Sequence, residues 1–168
     1  LIRDPSPIDT LRQGGTGADS ANLSHPADLP DKFEAGTHNY PGIVSLFAGT
    51  RFVGEMGISR VMSRCQELTR TLIRGVSDAE NLTLDNPDPD LPVISLSIGS
   101  LDCEDAGYIL LKKYRIIVRT GLHCAPLIHQ KINGGAGSLR ISLSCLNTLD
   151  ECRFVARAVS EVATYADP

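Results

Sequence analysis

Apolar residues begin to recur at three- and four-residue spacing at Ile43, Leu46 and Phe47. After a break near Gly54 and Gly57 the pattern resumes at Ile58, Val61, Met62, Cys65, Leu68, Leu72 and Ile73. That spacing is one face of an amphipathic helix, with Glu67, Arg70 and Thr71 on its solvent side. Residues 81–85 and 93–98 read as short strands, separated by the turn-rich Asn86-Pro87-Asp88-Pro89-Asp90. Asp102 or Ser100 is placed to cap a helix over residues 103–114, whose apolar face carries Ala106, Ile109 and Leu110. Residues 116–119 return as a strand, and residues 139–144 alternate Leu139, Ile141, Leu143 against Arg140, Ser142, Ser144, as a half-buried strand does. Thr148 precedes Glu151 by three positions, a capping box that opens a last helix with Phe154, Val155, Ala158, Val159 and Val162 facing inward. Strand, strand, helix, strand, loop, strand, helix predicts an α+β fold, a small and mainly antiparallel sheet with helices packed on one face.

The first thirty residues differ. Pro5, Pro7, Gly14-Gly15-Thr16-Gly17, Pro26 and Pro30 exclude a long helix and predict an extended arm with turns. A loop of that length is unusual inside a compact domain, so the arm is expected to rest on protein surface outside this chain. The expected organisation is an arm over residues 1–42 and a domain over residues 43–168. The chain opens on Leu1, and its only methionines are Met56 and Met62. It is therefore expected to be a piece of a longer protein.

Composition narrows the function classes. The 168 residues are 42% hydrophobic and 21% charged, the balance of a globular domain. A net charge of −4 gives no basic footprint for nucleic acid. No apolar run approaches the roughly 20 residues that span a bilayer, and the polar, proline-rich start does not read as a secretory signal. The five cysteines are odd in number and irregular in spacing, so neither a disulfide framework nor a zinc site is expected. Reduced thiols in a cytoplasmic setting are the expectation.

One cysteine stands apart. Arg119-Thr120-Gly121-Leu122-His123-Cys124-Ala125-Pro126 follows the apolar run Ile116-Ile117-Val118 and leads into a short turn or helix. Cys124 thus lies on a loop, with an arginine five positions before it and a histidine next to it. Thiols react as thiolates, which neighbouring cations favour, and strand-end loops are common places for chemistry. The competing reading is a small buried hydrophobe. Burial is the reading for Cys65, Cys103, Cys145 and Cys152, with Cys103 set apart because it opens a helix.

The blocks Arg119 to Pro126, Ser138-Leu139-Arg140-Ile141-Ser142 and Asn147-Thr148 with Asp150-Glu151 resemble the C-terminal region of cysteine desulfurases. These belong to the class V aminotransferase family of pyridoxal-phosphate (PLP) enzymes of fold type I. Gly14-Gly15-Thr16-Gly17, Phe33-Glu34-Ala35-Gly36-Thr37 with Asn39, and Gly42-Ile43 match the same family in the same order, so the resemblance runs from about residue 11 to 163. It implies that Cys124 takes sulfur from L-cysteine as a persulfide, leaving alanine. It implies that Arg140 holds the substrate carboxylate, where a planar fork suits a planar anion. Arg119 and His123 become pocket residues that position thiol or substrate, and Gly36 and Thr37 reach the PLP phosphate of a neighbouring subunit. The parent protein would be a homodimer that passes sulfur to an acceptor protein for iron–sulfur clusters or related cofactors. No metal site is implied.

PLP also requires a Schiff-base lysine. None of Lys32, Lys112, Lys113 and Lys131 lies in a stretch that fits that position. The chain alone is therefore expected to bind no PLP covalently and to lack desulfurase activity. A selenocysteine lyase, another class V enzyme that makes no use of the thiol, and a non-catalytic module that docks a sulfur acceptor remain alternatives. A hydrolase pairing Cys124 with His123 or His129 is disfavoured, because adjacent residues on an extended loop point apart.

Overall fold

The computed structural model describes Asp4 and residues 7–17 and 21–166. The chain divides into two units, Leu1–Phe52 and Val53–Pro168. In the first, the arm carries a short 3-10 turn at Asp31–Phe33. Gly36 closes a loop back onto the arm by donating its N–H to the Gly15 carbonyl at 2.9 Å, with φ of +91°. That backbone conformation favours glycine. Helix α1 (Tyr40–Met56) runs through the boundary between the units and buries none of its residues. It begins three residues earlier than the periodicity indicates, because Asn39 Oδ1 accepts the Gly42 N–H at 3.0 Å and Pro41 sits in the first turn, where it costs no hydrogen bond.

The break at Gly57 is where expected, and α2 (Ile58–Val76) follows it. The remaining elements are β1 (Leu82–Leu84), β2 (Val93–Ile98), α3 (Cys103–Tyr114), β3 (Arg119–Gly121), α4 (Pro126–Asn133), β4 (Ser138–Ser142) and α5 (Leu149–Ala163). The strands form one antiparallel sheet in the order β1-β2-β4-β3. The inferred α+β layering is what the structure has. One sheet face sends Ile94, Leu96, Ile98, Leu139 and Ile141 into the core, where Leu68, Leu72 and Val76 of α2, Leu110 of α3 and Val159 and Val162 of α5 meet them. Helices α2 and α5 lie close together. A Cβ on Gly75 would stand 2.6 Å from the Ala156 Cβ, so the glycine sets their separation.

Two helix starts follow their sequence signals. Asp102 caps α3 by accepting the Glu104 N–H at 2.7 Å. Thr148 and Glu151 close the capping box of α5. Two expectations need correction. The apolar run 116–118 is not in the sheet. Arg115 ends α3 in the left-handed conformation (φ 60°), and the chain leaves it extended, with Ile117 84% exposed. The strand forms three residues later, at Arg119–Gly121, where β4 supplies ladder partners. Phe154 does not face inward but is 43% exposed, ring edge against Tyr114. Ala158, Val159 and Val162 face inward as expected, with Val155 half-buried, and Cys152, Ala156 and Ala163 widen the buried stripe of α5. No helix among the described residues is long and apolar enough to cross a membrane.

Candidate functional site

The site grows from the polar face of the sheet. Arg119 on β3 stands opposite Arg140 on β4, and Ser95 on β2 stands opposite Arg140 from the other side. Opposed residues of antiparallel strands share a face, and like charges so placed repel. An arrangement that keeps two guanidinium groups together suits an anion between them. Arg140 is half-buried, and its Nε is buried without a protein hydrogen-bond partner. Its neighbours Leu139 and Ile141 are buried on the opposite face, so strand alternation alone turns the guanidinium away from the core.

The thiol reaches this face through a strained turn. Gly121 ends β3 with φ of +90°, and His123 and Cys124 follow at +52° and +59°. Two consecutive non-glycine residues in the left-handed region carry a conformational cost, and such positions cluster at functional sites. The turn is closed by the Ala125 N–H donating to the Leu122 carbonyl at 2.8 Å, and Pro126 then opens α4. The result is an exposed Cys124 with its Sγ 3.8 Å from Arg119 Nη2. Behind the turn, Gly137 packs directly on Gly121. A Cβ there would meet the Gly121 carbonyl carbon at 3.0 Å.

His123 packs into polar protein. Its Nε2 lies 3.2 Å from Ser138 Oγ, and its ring centre is 5.4 Å from that of the buried His129. Burial pushes its pKa below the usual histidine value; the charges of Arg140, His129 and Arg119 add to this, and a hydrogen bond to the Ser138 backbone opposes it. These surroundings favour the neutral ring. Ser138 is itself fully buried and lies 2.7 Å from Ser95 Oγ, which lies 2.8 Å from Asp85 Oδ2. On the far side of His129, Asn133 Nδ2 donates to the Gly137 carbonyl at 2.6 Å and ties α4 to the loop before β4.

Four of the inferred site residues, Cys124, Arg119, His123 and Arg140, thus converge in the second unit. Gly36 and Thr37 lie in the first unit, on the Gly15-closed loop, with Thr37 exposed. Ser95, Ser138 and Asp85 were not legible in the sequence: a serine in an alternating strand reads as a solvent-facing position, yet Ser138 has 0% exposure. The other cysteines divide as follows. Cys65 and Cys152 are buried, Cys103 and Cys145 half-buried. Burial raises the thiol pKa of Cys65, with Cys145 adding to it; burial raises that of Cys152, with Glu151 adding to it.

The lysines present do not fit a covalent holder of PLP. Lys113 Nζ is held 2.6 Å from both Glu161 Oε1 and Tyr165 Oη. Lys112 lies over the Tyr108 ring, Lys32 lies over the Phe33 ring, and Lys131 ends α4 on its exposed side. Among the described residues, no group of three or more His, Cys, Asp or Glu side chains is arranged to hold a metal ion.

Comparison with known proteins places the chain in a family. The chain is 30% identical over 139 residues to a probable cysteine desulfurase of Methanothermobacter thermautotrophicus, matching 81% of this chain and 35% of that protein. It is 36% identical over 126 residues to a cysteine desulfurase of Salmonella agona, matching 74% of this chain and 30% of that one. The chain thus spans about a third of the length of the curated relatives it matches, in their C-terminal portion. The structure superimposes on the apo cysteine desulfurase of Thermococcus onnurineus with a TM-score of 0.70 at 29% identity, covering 81% of this chain and 34% of that one. An Escherichia coli cysteine desulfurase with an S-sulfonic acid, at 23% identity and TM-score 0.71, shares the fold over 82% of this chain and 34% of its own. The aminotransferase class-V model matches residues 6–155. The chain belongs to the class-V aminotransferase family.

Proposed function

We propose that this chain is the thiol-bearing part of a PLP-dependent cysteine desulfurase, in which Cys124 takes the sulfur of L-cysteine as a persulfide and alanine is left. The observation that carries the proposal is the pairing of an exposed thiol with a guanidinium at 3.8 Å, beside a second guanidinium one ladder position away. Arg140 grips the substrate carboxylate with its planar guanidinium fork. Arg119 donates to the thiol sulfur and orients it for attack on the substrate sulfur. His123 orients the turn that presents Cys124. PLP, when bound in the parent protein, supplies the electron sink for carbon–sulfur cleavage. Gly36 and Thr37, on a loop whose glycine permits close backbone approach, serve the phosphate of that group in a neighbouring subunit. Residues 1–42 form an arm belonging to the large PLP domain and residues 43–168 the small domain. The setting is a cytoplasmic homodimer that hands sulfur to an acceptor protein, as in iron–sulfur cluster assembly.

The Schiff-base lysine is expected from another part of the parent protein, so the isolated chain is expected to be inactive. Mixed with PLP, it should yield no adduct that borohydride fixes. The decisive test uses a PLP-loaded protein that contains this chain. After L-cysteine treatment, the Cys124 peptide should gain the mass of one sulfur atom, and Cys124→Ser should abolish that gain together with alanine formation. No added sulfur on Cys124 would sink the desulfurase reading. Loss of the cysteine reaction with retained selenocysteine cleavage in the variant would favour a selenocysteine lyase. Indifference to both would point to a class V enzyme that does not use the thiol.

A further inference from the structure

Three hydrogen-bond contacts in the polar face leave one consistent placement of protons. Asp85 Oδ2 and Ser138 Oγ both lie within 2.8 Å of Ser95 Oγ, whose hydroxyl has a single proton. A carboxylate only accepts, so that proton goes to Asp85. The 2.7 Å contact between the two serines then needs the Ser138 proton. With that proton spent, the 3.2 Å contact from His123 Nε2 to Ser138 Oγ needs a proton on Nε2. Ser138 is fully buried, so water does not offer an alternative partner there. His123 Nδ1 is the atom left over: it is buried and has no protein partner.

We propose that Asp85, Ser95 and Ser138 form a one-way hydrogen-bond chain that fixes His123 as its Nε2–H tautomer and leaves Nδ1 as a buried lone-pair acceptor. The three are positioning residues acting through His123. The charged and titratable groups facing the ring are Arg140 from β4, Arg119 from β3 and His129 from α4. With two guanidinium groups nearby, a second proton on the ring is disfavoured, so positive charge in the site stays on the arginines. The tautomer does not rest on the proposed desulfurase reading.

The chain as it stands can be tested by two-bond proton–nitrogen NMR of the histidine rings at neutral pH, with no ligand present. His123 should show a pyrrole-type Nε2 and a pyridine-type Nδ1. Ser95→Ala leaves Ser138 free to donate to Nε2, so the tautomer ratio should move toward Nδ1–H by roughly fivefold, one hydrogen bond's worth. Ser138→Ala should remove the bias and give an averaged ring. Amide dispersion checks the fold of each variant. A wild-type ring protonated at Nδ1 would overturn the proposal without any variant, as would a Ser95→Ala spectrum with the tautomer unchanged in a folded protein. A failed persulfide test with the Nε2–H tautomer intact would instead count against the desulfurase reading alone.

Discussion

The turn that carries Cys124 and the helix pair that carries Cys65 and Cys152 treat the same side chain in opposite ways. In the turn, consecutive left-handed residues lift the thiol to the surface beside a guanidinium. In the helix pair, Cys152 has 0% exposure and Cys65 has 5%, and burial pushes both pKa values up. The turn accepts backbone strain to present a sulfur atom; the helices withhold theirs behind close packing. The thiol of the proposed function therefore sits on strained backbone, as functional groups do in many folds.

Alkylation of the native chain should separate the two regions most sharply. Iodoacetamide should label Cys124 first, while Cys65 and Cys152 wait for opening of the helix pair. If that opening costs about 4 kcal/mol, their labelling is slower by roughly 10³-fold. Peptide mass spectrometry gives the order, and Cys124→Ser should remove the fastest site, leaving the half-buried Cys103 and Cys145 ahead of Cys65 and Cys152. A fast Cys152 would break the contrast. The helix pair can also be weakened on its own. Leu72→Ala removes a fully buried side chain and should cost about 2–5 kcal/mol in urea unfolding. Leu122, 42% exposed in the turn, should cost within about 0.5 kcal/mol when cut to alanine. The first change should speed Cys152 labelling and leave Cys124 labelling as it was.

A smaller effect tests what the guanidinium does for the thiol. Arg119→Ala removes the cation 3.8 Å from Sγ and should slow Cys124 alkylation several-fold at neutral pH, with Cys152 unaffected. The site is open to solvent, so the difference should shrink as salt is raised and the Debye length falls below about 8 Å. An unchanged rate in low salt would mean that Arg119 serves the substrate and not the thiol.

How far these contrasts were legible in the sequence follows the range of the forces involved. The amphipathic stripe of α2, the Asp102 cap and the Thr148–Glu151 box are local, and each stands where its residues indicate. Ile116, Ile117 and Val118 misled because an apolar β-branched run makes a strand only where a neighbour supplies a ladder. That neighbour, β4, sits opposite Arg119, not opposite the run. Phe154 misled for a similar reason: its rotation about α5 is set by the tight Gly75–Ala156 contact, which no periodicity records. In the candidate site, Cys124 with Arg119 and His123 beside it was singled out by local chemistry, and the role given to Arg140 came from motif resemblance. Their approach depends on strand register, as does the burial of Ser138, and register is not a property of any short window.

The smallest effect concerns the N-terminus of α5, where Cys152 occupies the first turn and donates its N–H to the Thr148 carbonyl at 3.2 Å. Thr148→Ala removes the side-chain cap and should cost about 1 kcal/mol, read as a lower urea midpoint. Cys152 labelling should rise by up to about fivefold if fraying of this turn is what exposes it. The other half of the box carries a pH signature. Glu151 accepts the Thr148 N–H at 2.8 Å, and hydrogen bonds to the Thr148 backbone and Asn147 hold its carboxyl below the usual value of 4.5. A carboxyl with a depressed pKa in the folded state binds fewer protons there than in the unfolded chain. Its stabilising effect is therefore full above about pH 4.5 and fades as pH falls through the lower folded value. Glu151→Gln should lower the urea midpoint slightly at pH 7, and the gap to the parent should close at strongly acid pH. A gap that persists there would mean that the box acts through shape alone and that charge contributes nothing to holding Cys152 out of reach.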